Sequence, residues 1–452
     1  MSGGVPPGLI DPAEALIDHA LAVEWTALPA AVQRATLDFL HDSLCVGVAG
    51  SRAAHSAAVL EMVQGWGEGG AAGALGMPGV RLPAASAAFV NGYFIHNQEY
   101  DCVHEPAVLH PMATLLAALL AETSRGPVSG ADFLSAIAAG ADVSIGLGVG
   151  AGPLSFFRPA TAGIFGCVAG IARLRRLRRA TALDAFGHAL SFASGTMQAH
   201  VEGKPALPVQ VANAARGGLV AADMALAGMA GVAKPIGGDF GYYAVLERAG
   251  ELKPMAHRIA EVSWKPFPTG RAAHGGIVAI RRLMADGLTA DSFERLDYHA
   301  PPLIARLVGR PAVSGMAPGY ARLCLPWLAA VVLTRGTVSL GDFTPERLAD
   351  AELVALAQRV RVVADDNGDP AAFVPATAIA TLRDGREIRA EVAAQFGSPE
   401  WPLSRDEHLA KALGCLEFAG LGASHAALAA AVETLACAPD ALALLESTGV
   451  LG

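Results

Sequence analysis

The sequence predicts a mainly α protein, with a large all-helical domain built from the N- and C-terminal segments and a smaller α+β lid domain between them. Three observations predict it. Helix caps recur through the first half, strand-like alternation appears between about Trp264 and Phe396, and a helical pattern returns after Ser404. The expected boundaries are 1–263, 264–400 and 401–452.

In the first segment Asp11-Pro12 offers an N-cap followed by an N1 proline, and Ser129 with Asp132 precedes the apolar run FLSAIAAGADV. In the second, RVRVVAD and ATAIATLRDGREIRAEVAA alternate, and Asp384-Gly385 marks a hairpin. Helical patterns intervene at GGIVAIRRLMADG and after Thr344-Pro345. In the third, Ser404 and Glu407 form a capping box ahead of LAKALGCLEF.

Composition narrows the function classes. Hydrophobic residues make up 53% of the chain, drawn largely from small side chains that suit close helix packing. A net charge of −9 argues against nucleic acid as a partner, because phosphate binding calls for a basic surface. The apolar runs after Pro111 and Cys324 are short, so no membrane span is expected, and the N-terminal stretch MSGGVPPGLIDPAEALIDHALAV lacks a basic leader region. Six scattered cysteines without CxxC fit free thiols, and a soluble cytoplasmic protein is expected. IGLGVGAG breaks the dinucleotide pattern at Ala151, and VEGKP has Gln198 where a P-loop needs its first glycine.

Chemistry concentrates in HNQEYDCVHEPAVLHP, residues 96 to 111. Ala85, Phe89, Tyr93, His96 and Tyr100 recur at helical spacing, which puts His96 on a buried stripe as a core histidine or a site group. The pattern lapses through Asp101 and His104 and resumes at Pro111, so His110 falls at a helix N-cap. There the helix dipole would keep an imidazole neutral and basic and would welcome an anion, although a plain capping role is equally consistent. Cys102, His104 and His110 could reach one ion, but their spacing matches no familiar zinc site, so no metal is expected. Arg158, Lys204 and Lys265 each precede a proline, which places them in loops or at element ends, and Arg271 and His274 follow in SWKPFPTGRAAHGG.

Several of these segments, in order along nearly the whole chain, resemble the MmgE/PrpD family, which includes 2-methylcitrate dehydratase, cis-aconitate decarboxylase and iminodisuccinate epimerase. NGYFIHNQEYDCVH with His110-Pro111 is similar to the family's N-G-x-x-x-H-x-x-D-F-D-D-T-H and H-P, and VANAARGGLVAADMALAGMAG to its G-x-A-A-R/K-x-G. WKPFPTGRAAH is similar to its K-x-[YF]-P with a later His, and Asp384-Gly385-Arg386 to its D-G-R. The resemblance implies a homodimer with an active site between the domains, no metal or organic cofactor, and Glu99, Asp101, His110 and Lys265 lining the site. The expected chemistry is removal of a proton alpha to a carboxylate of a small anionic polycarboxylate. A 2-methylcitrate dehydratase-like hydro-lyase comes first, then an epimerase of the iminodisuccinate type, then an inactive binding protein of the same fold. His110 or Asp101 is the expected base and His104 its partner or the leaving-group acid. His96, Glu99, Arg158, Lys204, Arg271 and His274 are expected around the substrate, with Lys265, Arg158 and Lys204 as carboxylate clamps.

The departures from the family pattern bear on substrate. Glu99, Cys102 and Val103 stand for Asp, Asp and Thr, Arg158 for a His, and Trp327 for a Tyr. Leu207 rather than Lys204 falls at a family Lys position. Gly270 replaces the His that decarboxylases carry five residues after the Lys, which argues against decarboxylation.

Overall fold

A computed structural model describes residues 11–67, 69–152, 154, 156–247, 250–369 and 371–452. The first ten residues of the N-terminal stretch read above as lacking a basic leader lie outside them.

Helix starts follow the caps in the sequence. Asp11 accepts from the Ala13 N–H ahead of the helix Pro12–Ala22, Ser129 accepts from Asp132 N–H ahead of Gly130–Val149, and Ser404 with Glu407 closes both arms of a capping box ahead of Arg405–Phe418. Of the glycines in IGLGVGAG, Gly146 and Gly148 lie within the Gly130–Val149 helix and Gly150 is its C-cap. That helix is long and apolar enough by length and composition to cross a membrane, yet 89% of its most apolar window is buried inside the protein. It packs most closely on the helix Gly163–Leu174, where a Cβ on Gly140 would lie 2.6 Å from the Gly166 carbonyl oxygen and one on Gly166 equally close to that of Gly140. Backbones this near tolerate only hydrogen as a side chain, which explains the small-residue bias.

Two hydrophobic cores result. One gathers residues from Ala13 to Trp264 together with Leu340 and residues from Ala412 to Leu451, and the other runs from Phe267 to Val392. The second surrounds a four-stranded mixed sheet of β3 (Phe293–Ala300), β4 (Val360–Ala364), β5 (Ala376–Leu382) and β6 (Glu387–Val392), in the order β4-β3-β5-β6. β3 pairs parallel with β4, Tyr298 opposite Val362, and antiparallel with β5, Tyr298 opposite Ala378. β5 and β6 form the hairpin at Asp384-Gly385, with Gly385 at φ +86°, which suits glycine. Along β5 alternate residues Ala376, Ala378, Ala380 and Leu382 are buried, and the helix His274–Ala285 packs on β5 and β6.

The expected all-helical body with a lid is corrected on both counts. The helical body also carries a two-stranded antiparallel ribbon, β1 (Ala72–Gly73) and β2 (Arg81–Leu82), whose strands are too short to show alternation in sequence. The second unit is no thin cover: it holds its own core and a mixed sheet, and it supplies buried wall to the cavity described next.

Candidate active site

The loop between the helices Ala84–His96 and Pro111–Thr123 is held by two outside contacts and one of its own. Val103 bridges to Ser263 and His104 to Leu109, which fold the loop back on itself and onto the approach to Lys265. Lys411, on the helix Arg405–Phe418, donates to the carbonyl of Tyr100 at 2.9 Å, lies 4.2 Å over the Tyr100 ring and pairs with buried Asp42 at 2.7 Å. Glu99 takes a positive φ of +50°, an uncommon geometry for a non-glycine residue that turns the chain sharply toward Asp101.

This geometry sets a fully buried Asp101 between two imidazoles. Its carboxylate lies 3.0 Å from His96 Nδ1 and 3.1 Å from His110 Nδ1, and the rings stand nearly edge to face with centroids 4.9 Å apart. The His96 contact is a well-directed hydrogen bond, whereas His110 Nδ1 approaches off the bonding direction. Burial opposes ionisation of Asp101, but the two imidazoles outweigh it and hold the carboxyl well below its usual range. The histidines diverge. Burial, with Lys265 adding to it, pushes His110 down against the pull of Asp101, whereas His96, closer to both Asp101 and Glu99, is raised despite its burial.

They also face different spaces. His110 lines a cavity of about 60 Å³ with Glu99, Phe157, Arg158, His200 and Arg271, and His96 lines a neighbouring one of the same size with Tyr93, Glu99, Lys204 and Arg322. Glu99 and Leu323 are common to both walls. His96 Nε2 is buried without a hydrogen-bond partner, 4.0 Å from Glu99 Oε1.

Three of the expected cations, Lys265, Arg158 and Arg271, are held by carboxylates. Lys265 is fully buried and lines neither cavity; its ammonium lies 2.8 Å from Glu99 Oε2 and 3.2 Å from the Glu99 carbonyl. Burial would raise Glu99, but Lys265 and the two histidines bring it to about 2. Arg158 reaches the first cavity while paired at 3.0 Å with buried Glu247, which also accepts from the Tyr242 hydroxyl at 2.9 Å. Arg271 reaches it too, paired at 2.7 Å with Glu105 and donating to the carbonyls of Trp264 and Phe396. Lys204 is exposed and borders the second cavity.

Two expected histidines serve the loops instead. His104 accepts from the Ala107 N–H at Nδ1, leaving Nε2 to donate to Glu261 at 3.2 Å, and it lines neither cavity. His274 is fully buried, with Nδ1 3.2 Å from Arg271 and Nε2 3.4 Å from the Thr269 carbonyl. Burial lowers both, His274 strongly.

His200, Glu247 and Arg322 were absent from the sequence reading. His200, brought down to about 4 chiefly by burial, lies in HVEGKP four residues before Lys204. Glu247 and Arg322 sit in segments with no motif, and only their burial marks them.

Among the described residues, two sets hold three metal-capable side chains with donor atoms within 4.8 Å of one another: His96, Asp101 and His110 at the cavities, and His19, Asp142 and His257 elsewhere. Cys102, His104 and His110 are not such a set. With Asp101 shared by the nitrogens on one edge of each ring, the first arrangement also has the form of a carboxylate-oriented acid and base.

Comparison with known proteins finds the MmgE/PrpD N-terminal domain over residues 14–255 and the MmgE/PrpD C-terminal domain over residues 267–435. The chain is similar to "Cis-aconitate decarboxylase" of Mus musculus, 25% identical over 357 residues that cover 74% of this chain and 72% of that protein. It is similar to "Cis-aconitate decarboxylase" of Homo sapiens, 27% identical over 358 residues with coverage of 74% and 72%. To "Cis-aconitate decarboxylase-like protein oryM" of Aspergillus oryzae it is 27% identical over 417 residues, 84% of this chain and 85% of that one.

Proposed function

Because the chain belongs to the MmgE/PrpD family, we propose that it is a lyase acting on a small polycarboxylic acid, beginning with removal of a proton alpha to a carboxylate. The observation that carries the chemistry is the pair of histidines on Asp101, one driven toward neutral and the other toward charged. Environments that separate two neighbouring titrations assign a base and an acid. Neutral His110 takes the alpha proton on the nitrogen not turned to Asp101. The electron pair left on carbon forms a double bond as the β-hydroxyl departs, and protonated His96 gives its Nε2 proton to the leaving oxygen, releasing water. Arg158 and Arg271 in the wall face the charge that develops on the carboxylate, in a site where low dielectric strengthens their field.

The decarboxylase activity for which the relatives are named favours a lyase over an epimerase. Within the lyases, dehydration fits better than decarboxylation, because Gly270 leaves no side chain where the family's decarboxylases carry a His. A Cβ there would lie 2.5 Å from Leu323 Cδ2, so a larger side chain would have to displace one of the two residues shared by both cavities.

Incubation with citrate-type hydroxy acids and cis-aconitate in deuterated water tests this. Dehydration gives an ultraviolet-absorbing unsaturated acid, decarboxylation gives carbon dioxide, and epimerisation gives alpha-hydrogen exchange alone. Turnover by the wild type and its loss in His110→Asn is the expected result. Unchanged turnover in that variant would overturn the assignment of the base.

A further inference from the structure

Among the described residues, the buried cations follow a rule with one exception. Arg158 pairs with Glu247, Arg173 with Glu24 and Asp132, Arg271 with Glu105, Lys265 with Glu99 and Lys411 with Asp42. Arg322 is 5% exposed, and no carboxylate lies within ion-pair distance of it among the described residues. Its guanidinium donates to the neutral Gln98 Oε1 at 2.7 Å and stacks 4.0 Å over the Phe343 ring, and its Nε has no partner. A buried charge without a counterion is costly, and the cost is met when an anion arrives. Burial lowers its pKa to about 10, which still leaves it charged at neutral pH.

Arg322 lines the second cavity, on the far side of Glu99 and Leu323 from His110. Lys204 and His96 border the same space, so positive groups outnumber its one acid, Glu99, whose carboxylate is engaged by Lys265. Glu99 and Leu323 line both cavities, so the two spaces adjoin.

From this geometry we infer that the second cavity is a carboxylate subsite with Arg322 as its counterion, so that the substrate spans both cavities and carries at least one carboxylate beyond the reacting one. The inference rests on the polycarboxylate reading and adds to it the number and placement of charges. Gln98, itself fixed by donating to the Ala49 carbonyl at 2.9 Å, aims the guanidinium, and Phe343 supports its plane.

Calorimetric titration with propane-1,2,3-tricarboxylate and with butyrate tests it, since neither acid carries a hydroxyl to expel and binding is read apart from turnover. Arg322→Met is expected to weaken the tricarboxylate by about 30-fold and butyrate, which has no second carboxylate, by less than about threefold. Arg322→Lys, which keeps the charge and loses the planar fork, is expected to weaken the tricarboxylate by about fivefold, and it decides the matter if Arg322→Met fails to fold by circular dichroism. Equal effects on the two acids, or none, in the folded variant would overturn the subsite and leave the proposed reaction standing. A wild-type protein that binds neither acid would overturn both.

Discussion

Lys265 places its ammonium 2.8 Å from the Glu99 carboxylate, with the lysine fully buried and the glutamate nearly so. Removing either partner strands the other charge away from water. Lys265→Met and Glu99→Gln are each expected to cost about 3–5 kcal/mol in urea unfolding, and the double variant should recover much of that loss. Simple additivity of the two losses would show that the ion pair is not the source of the effect.

Asp101→Asn keeps the shape of the residue while removing the charge that orients both rings. It is expected to lower kcat by about a hundredfold or more, with a smaller change in KM, because the amide no longer selects the tautomer that leaves His110 free to accept a proton. Steady-state kinetics on the substrate found in the screen measures this. A purely structural Asp101 would lower stability and leave kcat per folded molecule unchanged.

The pH profile has two limbs with opposite signs. His110 is lowered from 6.5 and must be neutral to act, so activity rises with pH through a value below 6.5. His96 is raised from 6.5 and must be protonated to act, so activity falls with pH through a value above 6.5. A plateau around neutrality is expected in kcat/KM, and His96→Gln should remove the alkaline limb.

Stability should decline in mild acid for a reason remote from the site. His41 Nδ1 and His408 Nε2 are hydrogen-bonded at 2.9 Å, and burial first, then neighbouring positive charge, brings them to about 4 and about 2. Unfolded histidines near 6.5 bind protons that the folded pair refuses, so stability is whole above 6.5 and is lost as pH falls from there toward 4. Each contributes roughly 1.4 kcal/mol per pH unit within that window. Denaturant midpoints from pH 7 to pH 4.5 would report it, and His408→Gln should flatten the slope.

The helix starts were legible because caps are local chemistry, as Ser129 and Ser404 illustrate. The hairpin at Asp384-Gly385 was legible for the same reason. The central strand Phe293–Ala300 was not, since FERLDYHA mixes charge with apolar residues and its partners come from distant sequence. At the site, His110 and Asp101 were visible from spacing, but their division of labour with His96 depends on which ring reaches which cavity. Arg158 and Arg271 illustrate the other limit: each reads as a free cation until the fold brings Glu247 or Glu105 against it.

Lys411 lines neither of the two cavities, yet it grips the carbonyl just ahead of Asp101 from a helix that follows it by about three hundred residues. A mutational scan scored by turnover would therefore flag Lys411 and Asp42 as strongly as residues on the cavity wall, and a search for the active site by proximity would pass them over. Engineering aimed at the substrate has a matching restriction, since the Tyr100 peptide must stay where that distant amine holds it while the walls are redrawn.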